Sequence, residues 1–159
     1  MKTKIFVVAD LGRFRAFRIE QDPRFSNPHL ELLEDWKTNV HGHLSQEVTD
    51  QGGQFRKGSA TGGDGAALSD HEQHNLDLER RSRAVKRISR RIVELLKEQG
   101  VEECYLAADT RLNSAVTEEL DPQTLSKIQN MSADLSNFSH SELIQRISTE
   151  LSERQQVKA

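Results

Sequence analysis

Seven basic side chains fall within the twelve residues from Arg80 to Arg91. Contact with a run of phosphates needs Lys and Arg clustered in this way. On a helical repeat, Arg80, Arg83, Lys86, Arg87, Arg90 and Arg91 spread over one side. Leu78, Val85, Ile88, Ile92, Leu95 and Leu96 converge on the other, and Arg81 alone falls near that apolar stripe. Few acidic residues stand four positions away within the run, so the charges repel more than they pair. A solvated helix face with no partner is the alternative for any such run.

The other chemistry-bearing residues are sparser. His71 and His74 stand three apart beside Glu72, but no third ligand follows at a metal-binding spacing, and His41 and His43 could join them only by folding back. No metal and no cofactor is expected. Cys104 is the only cysteine, which excludes an intramolecular disulfide and a cysteine-based zinc site. Asp10 with Gly12 reads as turn chemistry, Cys104 as a small buried hydrophobe, and Trp36 as a core or sheet-edge anchor. No Ser/His/Asp arrangement, P-loop or dinucleotide fingerprint is present. There is, however, a Gly52-Gly53-Gln54 tripeptide followed at once by Arg56 and Lys57. As a tripeptide it is weakly specific; its setting gives it weight.

That setting is a long polar segment. Of the nine glycines, seven lie between Gly42 and Gly65, in a stretch from about Thr38 to Ala67 rich in Gly, Gln, Asp, Ser and Thr. Such a stretch buries too little apolar area to offset the entropy of ordering it, so a long flexible loop is expected at about 38–70. It also explains why only 35% of the 159 residues are hydrophobic. The net charge of -3 excludes a uniformly basic nucleic-acid binder but leaves room for one cationic face balanced by acid elsewhere. No apolar run approaches the length of a membrane span, and no signal-peptide hydrophobic stretch follows the basic N-terminus. One soluble cytoplasmic domain over 1–159 is expected, taken as a monomer, with no membrane partner.

The elements that must position these residues are legible from periodicity. Lys4–Ala9 and Phe14–Glu20 read as strands joined by a tight Asp10-Leu11-Gly12-Arg13 turn, and Leu30–Lys37 as a third strand. After the loop, Ser69 with Glu72 signals a helix start, and Gly100 stops that helix after Gln99. Glu103–Ala108 is apolar enough for a central strand. Asp109 or Thr110 then caps a helix through Leu120, and Asp121-Pro122 opens a short helical turn. Lys127–Ala133 is a weak fifth strand. Ser139 and Glu142 cap a last helix reaching about Glu153. The fold class expected is α/β: a mixed sheet of about five strands, an antiparallel meander followed by βαβ-type units, with flanking helices.

In this order of elements the chain resembles the central domain of the eukaryotic and archaeal class-1 peptide-chain release factors. Lys4–Glu20, Gly52-Gly53-Gln54 and Arg80–Lys97 stand for that family's strand–turn–strand opening, mobile GGQ loop and long basic helix. Over nearly its full length the chain also resembles the bacterial family named "protein required for attachment to host cells". The pieces that match are Val7-Val8-Ala9-Asp10-Leu11-Gly12-Arg13, the Asp50…Gly53 loop, His71-Glu72 and Tyr105-Leu106-Ala107-Ala108. Members of that family often carry Gly-Arg where this chain has Gly53-Gln54.

The resemblance implies a ribonuclease-H-like, release-factor-like domain and a partner in ribosomal RNA or tRNA. It gives Gly52, Gly53 and Gln54 a catalytic role in peptidyl-tRNA ester hydrolysis, in ribosome rescue or a stress response. In that chemistry the glycines permit positive φ and close approach to RNA, the Gln54 backbone N–H stabilises developing oxyanion charge, and its side chain orients or excludes water. No side-chain nucleophile is needed. The RNA-binding set is then Arg56, Lys57, Arg80, Arg83, Lys86, Arg87, Arg90 and Arg91. The alternative is a non-enzymatic binding protein whose loop only contacts a partner.

Overall fold

A computed structural model describes residues 2–38 and 70–158. The Gly52-Gly53-Gln54 tripeptide, Arg56, Lys57, His41, His43 and the Ser69 cap lie outside the described residues. The elements run β1 (Lys4–Ala9), β2 (Arg13–Glu20), β3 (His29–Lys37), α1 (Asp70–Glu98), β4 (Glu103–Ala108), α2 (Thr110–Glu118), α3 (Pro122–Leu125), β5 (Ile128–Ser132) and α4 (His140–Lys158). The five strands form one mixed sheet in the order β3-β2-β1-β4-β5. β1 pairs antiparallel with β2, and β2 with β3; β1 pairs parallel with β4, and β4 with β5. The fold is therefore α/β with an antiparallel meander on one side and parallel pairing on the other, as expected from the pattern.

Helices cover both faces of the sheet. Ile5, Val7, Ala9, Phe14, Ala16, Cys104, Leu106 and Ala108 face one layer, where they meet Ile88, Ile92 and Leu95 of α1 and Leu112 and Val116 of α2. Phe6, Val8, Phe17, Tyr105 and Ala107 face the other, under Leu143, Ile147 and Leu151 of α4. Burial on both faces explains why β1 and β4 read as continuous apolar runs. Among the described residues no helix is long and apolar enough to cross a membrane.

Local signals set the boundaries. Asp10 Oδ1 accepts from the backbone N–H of Gly12 and of Arg13, each at 2.6 Å, which closes the β1–β2 turn. Asp109 caps α2 by accepting from Leu112 N–H at 2.8 Å, and Asp121 caps α3 through Thr124 N–H at 3.3 Å. Ser139 and Glu142 form a reciprocal capping box: Ser139 N–H donates to Glu142 Oε2 at 2.7 Å and Glu142 N–H to Ser139 Oγ at 3.3 Å. α4 runs on to Lys158, five residues past the expected end at Glu153. Its added turn is held by Arg154, which bonds Glu150 and Gln129 and lies 5.6 Å from the centre of the Tyr105 ring.

Gly100 ends α1 with φ of +59°, a left-handed conformation that side chains with a Cβ disfavour. Nothing lies within 4 Å of where a Cβ would sit, so the cost of filling this position is backbone strain alone. Gly100→Ala is expected to lower stability by about 1 kcal/mol and Gly100→Asn by less, since Asn tolerates this region. Urea unfolding of the two variants checks the order.

Candidate nucleic-acid interface

The 29-residue helix α1 is about 43 Å long and projects past the sheet at its N-terminal end, where Glu72 to Glu79 are all exposed. Further along, Ala84, Ile88, Ile92, Leu95 and Leu96 are buried, while Arg83, Lys86, Arg90 and Lys97 are exposed on the opposite side. Those four cations stand three, four and seven residues apart, which places them on one helical stripe about 21 Å long. Lys86 and Arg90 have no carboxylate partner among the described residues. Arg83 pairs with Glu79 one turn back at 2.6 Å, an exposed contact that a competing phosphate can displace.

The remaining basic residues of the run have other surroundings. Arg91 is gripped by three carboxylates: its guanidinium bonds Glu34, Glu94 at 2.9 Å and Glu98 at 3.0 and 3.1 Å. This network ties α1 to the edge strand β3, and the bonded carboxylates push the Arg91 pKa up further. Arg91 thus braces the scaffold, and its charge is neutralised locally. Arg80 is half-buried. Arg87 is exposed but ordered, with its guanidinium carbon 4.3 Å from the centre of the Trp36 ring. That indole also stacks on Phe14, with ring centres 4.7 Å apart. Trp36 is therefore the sheet-edge anchor expected from its sequence position, and it also props a cation at the border of the ridge. Lys97 was not singled out by the density of the Arg80–Arg91 run; its position seven residues beyond Arg90 is the signal that finds it.

Leu78 departs from expectation. The apolar stripe assigns it to the core, yet it is 50% exposed, because at that point α1 has passed the end of the sheet. Arg81, next to the same stripe, is exposed as well. Of the histidines, His74 lies on the exposed first turns of α1. No group of three or more His, Cys, Asp or Glu side chains placed to hold a metal ion occurs among the described residues. Cys104 is fully buried, and burial pushes its thiol pKa up.

The Glu34–Arg91 contact gives the scaffold beneath the ridge a pH dependence. Burial alone would raise the Glu34 carboxyl, but the N–H bonds from Arg91 and Trp36 together outweigh it and hold the pKa below the usual range. A depressed pKa contributes stability above the unfolded-state value and loses it as pH falls through the folded-state value. Glu34→Gln is therefore expected to flatten the fall in urea midpoint from about pH 5 downward, relative to the parent chain.

The ridge presents clustered cations suited by charge to a run of phosphates, and contacts of that kind position a nucleic acid without carrying sequence information. No curated protein matches the chain. A family model for the "protein required for attachment to host cells" matches residues 5–147, from the second residue of β1 into α4, and the chain belongs to that family.

Proposed function

We propose that the protein binds RNA, in the form of ribosomal RNA or tRNA, through the ridge of Arg83, Lys86, Arg90 and Lys97, with Arg87 steadied on Trp36. The observation that carries this reading is the segregation of cations on α1. Four exposed cations line one stripe, while Arg91, inside the same run, is neutralised by Glu34, Glu94 and Glu98. A stripe kept open on a chain of net charge -3 attracts phosphate without making the whole molecule basic. On this reading the protein works in the cytoplasm, where its partner is.

Fluorescence anisotropy with a labelled tRNA tests the proposal. Four phosphate contacts give a slope of log affinity against log salt of about -3. Binding that ignores salt, or no binding at low salt, overturns it.

The Gly52-Gly53-Gln54 tripeptide favours a finer reading, in which the bound RNA is peptidyl-tRNA and the loop promotes hydrolysis of its ester. These residues, with Arg56 and Lys57, precede α1 in the sequence by twelve residues, so the tripeptide is tethered to the helix that carries the ridge. Stalled ribosome complexes incubated with the parent protein should release peptide, and Gln54→Ala should not. Equal inactivity of both removes the hydrolytic step and leaves a non-enzymatic RNA-binding protein.

A further inference from the structure

A second surface lies on a different side of α1 from the ridge. β1 and β4 run parallel side by side, and their carboxyl ends open between the departing chain segments: β1 turns back toward β2, whereas β4 leads through α2 toward β5. Ligand crevices form outside the carboxyl ends of strands at such a divergence. Here the overhanging part of α1 forms one wall and the start of α2 the other, enclosing an open groove of about 670 Å³. Its apolar lining includes Leu11, Leu78, Val85 and Ala115, and Arg81 and Arg111 also line it.

Both arginines are exposed and neither has a carboxylate partner among the described residues. The one acid in the lining, Asp109, already accepts from Leu112 N–H at 2.8 Å as the α2 cap. The groove therefore offers aliphatic surface flanked by two arginines and one carboxylate, Asp109, so its lining carries a net positive charge. Leu78, half exposed, is its most open apolar group.

We propose that this groove docks an acidic peptide segment of a partner protein, whose aliphatic side chains cover Leu11, Leu78, Val85 and Ala115 while its carboxylates meet Arg81 and Arg111. The charge pattern calls for an anionic partner. The aliphatic lining favours a peptide over a nucleic acid: bases stack on aromatic rings or guanidinium planes, and Leu11, Leu78, Val85 and Ala115 offer neither, whereas they match aliphatic side chains. An amphipathic helix laid into a groove meets it with residues at i, i+3, i+4 and i+7, which sets the spacing of the probe's aliphatic side chains. The proposal does not depend on RNA binding, since Arg81 and Arg111 lie outside the ridge.

The test uses the full chain and a fluorescent peptide of about fourteen residues, with Leu at those helical positions and Glu elsewhere. Matched peptides carry Lys for Glu, or the same residues scrambled, and a short RNA serves as a further competitor. Arg81→Glu with Arg111→Glu should weaken binding of the Glu peptide at least about tenfold, and Leu78→Ser at least about fivefold. All three positions are exposed, and circular dichroism checks that the variants fold. Methyl resonances of Leu11, Leu78 and Val85 should shift on titration, and the Lys and scrambled peptides should bind at least about tenfold more weakly. Four results would each overturn the proposal: no binding at about 1 mM peptide, binding indifferent to both variants, a Lys peptide that binds equally well, or RNA that displaces the peptide and shifts the same methyls.

Discussion

Replacing Arg83, Lys86 and Arg90 together by Glu is expected to lower RNA affinity at least about 100-fold near physiological salt. Each phosphate contact releases about 0.9 of a counterion from duplex and 0.7 from single strands, so at about 0.15 M salt it strengthens binding some four- to fivefold relative to 1 M. Removing three such contacts multiplies to roughly a hundredfold, and three new negative charges add repulsion. The salt slope should become shallower by about 2–3 in the same experiment. Arg91→Gln is the informative contrast. It removes one charge from the same run, but one already neutralised by Glu34, Glu94 and Glu98, so RNA affinity should change little. Thermal stability should fall instead, because the tie between α1 and β3 is lost. The three glutamates lie on the exposed face of α1, so the circular dichroism of the triple variant should match the parent.

The largest effect on stability is expected at Arg15. This side chain is 7% exposed and lies among apolar groups on the α4 face of β2. Its guanidinium donates to the carbonyls of Leu135 at 3.1 Å, Ser136 at 3.0 Å and Phe138 at 3.1 Å, which fixes the segment between β5 and α4. Burial, with the neighbouring Arg13 charge second, lowers its pKa, although an arginine stays charged at any working pH. Arg15→Ala removes the donors and leaves three carbonyls beside a void. The expected loss is about 3 kcal/mol, or a melting temperature lower by about 6–12 °C for a chain of this size. Arg15→Lys should recover part of it, because an ammonium supplies three donors without the planar fork that reaches all three carbonyls at once. A melting temperature unchanged in Arg15→Ala would mean that the 135–138 segment is held by other contacts.

Arg15 also shows where the sequence was silent. An arginine is by type a surface residue, and although Arg15 shares its strand face with Phe17 and Ile19, nothing local tells that this end of the face is covered; α4 and the segment before it, distant in sequence, cover it. Leu78 errs in the opposite direction. Helical periodicity assigns it to the core with Ile88 and Ile92, but periodicity says nothing of where the sheet ends, and Leu78 lies beyond it. By contrast, features encoded locally were legible: Glu103–Ala108 as a central strand, the Asp109 and Asp121 caps, the Ser139–Glu142 box, and Gly100 as the stop of α1. The extension of α4 to Lys158 was not, because it depends on Arg154 reaching Gln129 and Tyr105 across the fold. At the candidate interface, the cationic run was evident from composition alone. Which of its members remain open, and which serve as braces, depended on Glu34 and Trp36 of β3, residues 57 and 51 positions before their partners Arg91 and Arg87.

Sedimentation of the 159-residue chain with ribosomes at moderate salt tests the central claim most directly. The parent protein should pellet with ribosomes and be released as salt is raised, while the Arg83→Glu, Lys86→Glu, Arg90→Glu variant should stay in the supernatant. Equal pelleting of parent and variant, or a parent that stays in the supernatant even at low salt, would contradict the assignment of α1 as an RNA-binding ridge.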